Sequence, residues 1–398
     1  MQTVHKQLKK IKILCEVNAF LRSKIRERRA KKELNYYRKK VKRTLDNNRD
    51  ISDLFKKRFD NRKITIKPKK RGQLHIFVPY YLLNWESVIP KTLRLFGKVA
   101  EFNWAERNFD ERPANKIWVA QRERMNEQML QAYFEASRVQ PVDAVVGYLS
   151  GLNTSPQTVQ KMADAGSVIF NFCWDDKLSF RGRKLGGRWT GVAAIASSVD
   201  LNLTNAPDSI VKYAGEDGIA MFWPEGADPD VHKPYDLPFE YDVSFVGQKY
   251  GWRPAFIKRL GRYGINVTTF GSGWENGPLS EEEMIKLYSK SRINLGFSGV
   301  RFSKKLTCLK GRDFEVPMSG GLYLTQDNPE LSLVYKIGEE IVTYRDEKDC
   351  AEKIRWLLAD REKADRIRKA ARERALKEHT WSKRFEQIFV LSGIMGTD

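Results

Sequence analysis

From residue 73 onward, short apolar runs alternate with longer amphipathic stretches, and that alternation confines the chain to an α/β fold built on parallel sheets. The runs lie at residues 74–80, 99–102, 144–149, 168–173, 201–204 and 220–222, with helical candidates at 86–96, 114–138, 156–165, 189–198 and 207–214. The stretch HKPYDLPFEY at 232–241 carries two prolines and no periodicity, which predicts a linker. Beyond it the alternation restarts, with runs at 243–246, 267–271, 293–297 and 321–325 and helices at 254–263, 280–291, 349–375 and 381–391. Two doubly wound, Rossmann-like domains are therefore expected, at 73–233 and 234–378, with a last helix in 379–398 returning to the first. In such sheets ligands bind at the carboxyl ends of the strands, so the active site is expected in the cleft between the domains.

Charge separates the first 72 residues from the rest. The formal net charge is +21, yet residues 1–72 hold 26 Lys and Arg against 7 Asp and Glu, leaving 45 against 43 for the remainder. The body is nearly neutral and the extension is a polycation. Val4, Leu8, Ile11, Leu14, Leu21 and Ile25 recur at roughly helical spacing among lysines and arginines, predicting a basic amphipathic helix. A more charged stretch follows at 33–45 and a short apolar set at 51–59, before Pro68 and Gly72 close the segment. Three readings stay open: attachment to an anionic membrane face, phosphate neutralisation on nucleic acid, and helices packed on the body or on another subunit. Nucleic acid is the least favoured.

Other classes are excluded by what the chain lacks. Cys15, Cys173, Cys308 and Cys350 never form a CxxC pair, and His5, His75, His232 and His379 show no HExxH spacing, so neither a disulfide framework nor a zinc hydrolase is expected. No apolar run approaches the roughly 20 residues that span a bilayer. Lysines 6, 9, 10 and 12 interrupt any signal-peptide core. The expected setting is cytosolic, peripheral at the inner face of the membrane if the extension binds there.

Several segments, taken in order, resemble a known family. SFVG at 244–247 before a helix, SRINLGFS at 291–298, KGRDFEVPMSGGLYLTQ at 310–326 and HTWSKRFEQIF at 379–389 are similar to the C-terminal half of group 1 (GT4-like) glycosyltransferases, with the spore-maturation CgeB/YkvP-like branch the nearest variant. WPEGADPDVH at 223–232 resembles the segment leaving the first domain of these enzymes. The resemblance implies a GT-B fold: two facing Rossmann-like domains, the second binding a nucleotide-diphosphate sugar and the first an acceptor, here preceded by the basic helical extension. It implies a hexosyltransferase-like enzyme that uses the sugar nucleotide as co-substrate and needs no metal or other cofactor. The acceptor, whether glycan, lipid-linked or protein, is not specified.

Within that frame Glu315, at the start of a helix, suits paired hydrogen bonds to a ribose diol, and in the family a Glu in this setting does that work. A charge placed to complement the helix dipole is the alternative. Gly247 forms the first strand-to-helix turn of the second domain, where backbone N–H groups suit a diphosphate and Lys249 or Arg253 can neutralise it. Gly271, in GSG, makes a further close turn. Lys310 and Arg312 are placed to meet charge on the leaving diphosphate, with ion pairs to Asp313 or Glu315 as the alternative. Gly320 and Gly321 either admit a ligand or end a helix. Thr307 stands where the family pattern has a second Glu, so the sugar preference is open. In the first domain Asp175 and Asp176 end a predicted strand, where one of them can serve as general base or as a helix cap. Arg183, Lys184 and Arg188, in GRKLGGRW, form a basic loop able to receive an acidic acceptor. An epimerase of the same fold and a basic nucleic-acid-binding protein are the competing functional classes.

Overall fold

The computed structural model describes residues 2–41, 51–81, 88–300 and 303–397, with side chains from residue 20 onward. The side chains of the stripe expected from Val4 to Leu14, and residues 42–45 and 86–87 of the expected helices, lie outside what is described. Two compact units are formed: an N-terminal unit of Lys32–Pro224 with Trp381–Asp398, and a C-terminal unit of Glu225–Thr380 with the chain up to Lys31.

The elements of the first part of the chain are α1 (Gln2–Val41), α2 (Ile51–Asn61), β1 (Leu74–Tyr80), α3 (Val88–Leu93), β2 (Gly97–Asn103), α4 (Lys116–Val139), β3 (Ala144–Gly147), α5 (Pro156–Asp164), β4 (Val168–Cys173), α6 (Asp176–Ser179), β5 (Lys184–Leu185), β6 (Arg188–Trp189), β7 (Leu201–Thr204), α7 (Ile210–Gly215) and β8 (Ala220–Phe222). Six of these strands make a parallel sheet in the order β2-β1-β3-β4-β7-β8, while β5 and β6 form a separate antiparallel pair. Alternate residues of the sheet feed two cores, as the period of 2 requires. Ile76, Val146, Phe170 and Leu203 meet α2, α3 and the last helix on one face. Phe77, Val145 and Ile169 meet α4 and α5 on the other.

The second part continues with β9 (Tyr241–Val246), α8 (Arg253–Arg262), β10 (Thr268–Phe270), α9 (Glu281–Lys290), β11 (Ser291–Leu295), α10 (Arg312–Met318), β12 (Tyr323–Gln326), β13 (Val342–Tyr344), α11 (Glu347–Ala359), α12 (Arg361–Glu378) and α13 (Trp381–Leu391). Its five strands are all parallel, in the order β10-β9-β11-β12-β13. Val243, Phe245, Ile293, Leu295 and Leu324 bury their side chains against α8, α11 and α12.

Residues 1–72 do not form one separate extension. In the N-terminal unit Phe55 and Phe59 of α2 are core residues, and Arg58 and Arg62 both bond Oδ1 of the fully buried Asp200, at 2.7 and 2.6 Å. Tyr37 of α1 is buried among Phe180 and Tyr213, and its hydroxyl bonds Glu216. The division between units falls at Pro224/Glu225 rather than 233/234, because Ala227 bridges Thr380 and its N–H donates to His379 O at 2.9 Å. α13 belongs to the N-terminal unit: Trp381 and Phe385 pack on Trp223, whose indole N–H donates to Arg384 O at 2.9 Å. The helix expected at 189–198 is replaced by β6 and two short 3-10 turns. There Gly191 passes so close to the chain that an added Cβ would stand 2.1 Å from Phe180 O.

Candidate active site

In the C-terminal unit the turns after β9 and β10 are fastened together. Gly247 N–H donates to Phe270 O at 2.9 Å, Lys249 N–H to Ser272 O at 2.9 Å, and Trp274 Nε1 to Gly247 O at 2.8 Å. Gly271 has φ +118°, and a Cβ there would meet Gly247 O at 2.4 Å, so the close approach admits only glycine. Arg253, the first residue of α8, donates to Gln248 O at 3.2 Å and stacks on the Tyr250 ring at 4.5 Å. Burial, with Arg312 nearby, lowers the proton affinity of its guanidinium. Lys249 is exposed, its ammonium 5.1 Å from the Trp274 ring centroid.

At the head of α10 the side chains of GRDFE diverge. Asp313 is buried; it accepts from Lys310 N–H at 2.8 Å, and burial pushes its carboxyl up to about 7. Glu315 is half-buried and its carboxylate accepts no hydrogen bond among the described residues; a Cβ at Gly311 would lie 2.6 Å from Glu315 Oε1. Arg312 Nε is buried without a hydrogen-bond partner, beside Tyr288 and Glu315. Lys310 Nζ lies 2.8 Å from Cys308 Sγ. Neither Arg312 nor Lys310 is ion-paired to Asp313 or Glu315. Lys310, Arg312 and the unengaged Glu315 carboxylate thus share the head of α10, with Arg253 near Arg312.

Gly320 and Gly321 have packing roles. Gly320, at φ +72°, ends α10, with the N–H of Gly321 returning to Val316 O at 2.9 Å, and a Cβ at Gly321 would meet Asn294 Nδ2 at 2.8 Å. Thr307 is buried.

In the N-terminal unit the two adjacent aspartates are unlike. Asp175, at the carboxyl end of β4, is exposed and accepts from Tyr148 Oη at 3.0 Å. Asp176 is fully buried and accepts from Tyr213 Oη at 2.8 Å; burial pushes its carboxyl up to about 6. An acceptor cannot reach it, so Asp176 is corrected from a candidate base to a structural group, and the two carboxylates do not form a chelating pair. Of the basic loop, Lys184 is exposed beside Trp189, and Arg183 is exposed and bonds Ala114 O. Arg188 turns inward, donating from Nε to Gly151 O at 2.8 Å. Sequence reasoning missed Tyr148, Tyr250 and Gly311, which act on Asp175, Arg253 and Glu315; only GR before DFE gave any signal, as a glycine just ahead of a helix.

Residues 253–389 match a family model described as glycosyl transferase-like, a span that holds every donor-side candidate except Gly247 and Lys249. In structure the chain is similar to sucrose-phosphate synthase from Thermosynechococcus elongatus, with 13% identity over 80% of this chain and 98% of that one and a TM-score of 0.56. It is similar to HepE from Anabaena, solved with UDP and glucose, with 13% identity, 79% and 98% coverage and a TM-score of 0.55. A glycosyltransferase from Rickettsia africae gives 10% identity, 82% and 100% coverage and a TM-score of 0.57. No curated protein sequence matches the chain. These likenesses establish the fold as GT-B, two Rossmann-like units of parallel strands.

Proposed function

We propose that the protein is a glycosyltransferase that moves a sugar, of hexosyl type, from a nucleotide diphosphate to an acceptor hydroxyl. One observation carries the reading: Glu315, half-buried at the head of α10, keeps its carboxylate unengaged beside Arg312, whose buried Nε also lacks a partner. A carboxylate with free lone pairs suits a vicinal diol, and buried cations suit a diphosphate that gains charge as the glycosidic bond breaks. Gly247, Lys249, Arg253, Lys310 and Arg312 take that charge in this proposal, with no metal or cofactor. HepE was solved with UDP and glucose, which makes uridine donors the first to try. The CgeB/YkvP-like branch is part of the same proposal.

On the acceptor side Asp175, oriented by Tyr148, is the general base we propose, with the exposed Arg183 and Lys184 placed to meet an acidic acceptor. Peripheral attachment is assigned to α1, where Leu21, Arg22, Ile25, Arg28 and Arg29 share one exposed helical arc and Leu21 and Ile25 are 54% and 50% exposed. No described helix is long and apolar enough to cross a membrane.

Ligand-observed NMR with uridine, guanosine, thymidine and adenosine diphosphate sugars tests the donor reading. Binding of at least one, lost in Glu315→Ala, is expected; no binding of any removes it. Release of nucleotide diphosphate only when acceptor is present separates transfer from epimerisation.

A further inference from the structure

The N-terminal unit holds a pocket of about 480 Å³ between α4, α5 and the β5–β6 turn. Two guanidinium groups line it, Arg122 buried and Arg188 partly buried, where arginine is rarely found without partners. Arg122 is 3% exposed and donates to Glu123 Oε1 at 3.1 Å, Leu185 O at 3.3 Å and Gly186 O at 3.4 Å. Gly186, at φ +56°, makes this closure possible: a Cβ there would stand 3.1 Å from Arg122 Nη2 and 2.6 Å from Val119 Cγ1. Arg188 spends Nε on Gly151 O, whereas its Nη2 is buried without a hydrogen-bond partner, 3.5 Å from Glu123 Oε1. Burial and then the charge of Arg122 depress the Arg188 guanidinium. Glu123 is the carboxylate that both arginines share, and its side chain is 58% exposed.

Arg122, Arg188 and Lys161 thus face two exposed carboxylates, Glu123 and Glu127, so the lining keeps a net positive charge, and a buried N–H is left over. Each guanidinium offers five donors in a planar fork, and together they exceed what the protein accepts from them. Ser155 and Thr158, at the start of α5, add hydroxyl groups to the lining, and Lys161 adds an exposed ammonium. A tetrahedral oxyanion has the acceptors to match two forks, and the volume falls in the lower range of small-molecule sites, larger than bare phosphate needs.

We propose that this pocket is a binding site for a phosphate group carried on a small molecule of sugar size, held by Arg122 and Arg188. It stands on the N-terminal unit alone and does not depend on the donor reading.

Isothermal titration of the full chain with inorganic phosphate and, separately, with glucose 6-phosphate tests it. Saturable binding is expected, tighter for glucose 6-phosphate because the sugar fills the remaining volume. Arg188→Gln should weaken it by about tenfold or more, since charge-assisted hydrogen bonds are lost. Glu123→Gln, a change at an exposed side chain, should strengthen it several-fold by removing the competing carboxylate, an effect that a purely structural arginine pair would not produce. UDP binding should be unchanged in both variants. Absence of saturable binding of either probe overturns the proposal, as does binding that neither substitution alters.

Discussion

Gly311 and Glu315 occupy space that only a glycine leaves open: a Cβ on residue 311 would lie 2.6 Å from Glu315 Oε1. The carboxylate is thereby held back over the start of its own helix. Gly311→Ala should displace it and weaken sugar-nucleotide binding nearly as much as Glu315→Ala, for which about 1.5–3 kcal/mol is expected from lost charge-assisted bonds. Titration of both variants with the best donor checks this; wild-type affinity in either folded variant would show that the carboxylate is not at the donor.

The aspartate pair should separate cleanly. Asp175→Asn should lower turnover by about 10²-fold or more with donor affinity kept, and Tyr148→Phe should lower it less, by freeing Asp175 from its 3.0 Å bond. Asp176→Asn should leave kcat close to wild type. Steady-state kinetics on the three variants decides, and equal losses at Asp175 and Asp176 would contradict the geometry.

Asp176 and Asp313 should show themselves in stability against pH. Their folded pKa values, about 6 and about 7, lie above the ordinary value near 4. A raised folded pKa contributes stability below the unfolded pKa that is lost as pH rises through the folded one. Each group should cost up to about 1.4 kcal/mol per pH unit within its window, from pH 4 to 6 for Asp176 and pH 4 to 7 for Asp313. Urea unfolding of Asp313→Asn and Asp176→Asn between pH 4 and 7 should give flatter profiles than wild type; parallel curves would refute the shifts.

Deleting residues 1–72 should unfold the N-terminal unit. Three aromatic core residues, Tyr37, Phe55 and Phe59, would go, and Asp200 would lose both arginines; stripping the partners from a buried charge costs about 3–5 kcal/mol. Arg62→Ala should show a smaller part of that loss in thermal melts, because Arg58 remains at 2.7 Å.

Membrane attachment is better probed by substitution. Arg22→Gln, Arg28→Gln and Arg29→Gln together should abolish binding to vesicles rich in anionic lipid while the fold persists. Wild-type binding should weaken as salt rises, since the Debye length falls from about 10 Å at 0.1 M to about 3 Å at 1 M. Vesicle flotation measures both, and wild-type indifference to anionic lipid at low salt would leave α1 as a packing helix.

Residues 168–173, 201–204 and 220–222 were legible as strands to the residue, because strands of a parallel sheet read as mainly apolar runs, interrupted here only by Asn171, Asn202 and Thr204. Residues 349–375 read as one helix, yet Asp360 ends α11 and its side chain caps α12 by accepting from Lys363 N–H at 2.9 Å. An aspartate mid-pattern says nothing of which way its carboxylate turns. β13 was missed since VTY is three residues long with charges following it. At the site, residue types were legible and directions were not. Asp175 and Asp176 differ only in which side of the chain they leave, and Arg188 differs from Lys184 by turning beneath a hairpin that no periodicity announced.

The return of α13 to the N-terminal unit sets the order in which this protein can mature. Trp174, Trp223, Phe170 and Phe385 share one aromatic surface, of which the last member is translated some 160 residues after Trp223. At ribosomal speeds of about 5–20 residues per second, that surface stays uncovered for about ten to thirty seconds while the C-terminal unit is made. The N-terminal unit therefore cannot mature vectorially, and ribosome-bound chains stopped before Trp381 should be the species that chaperones hold.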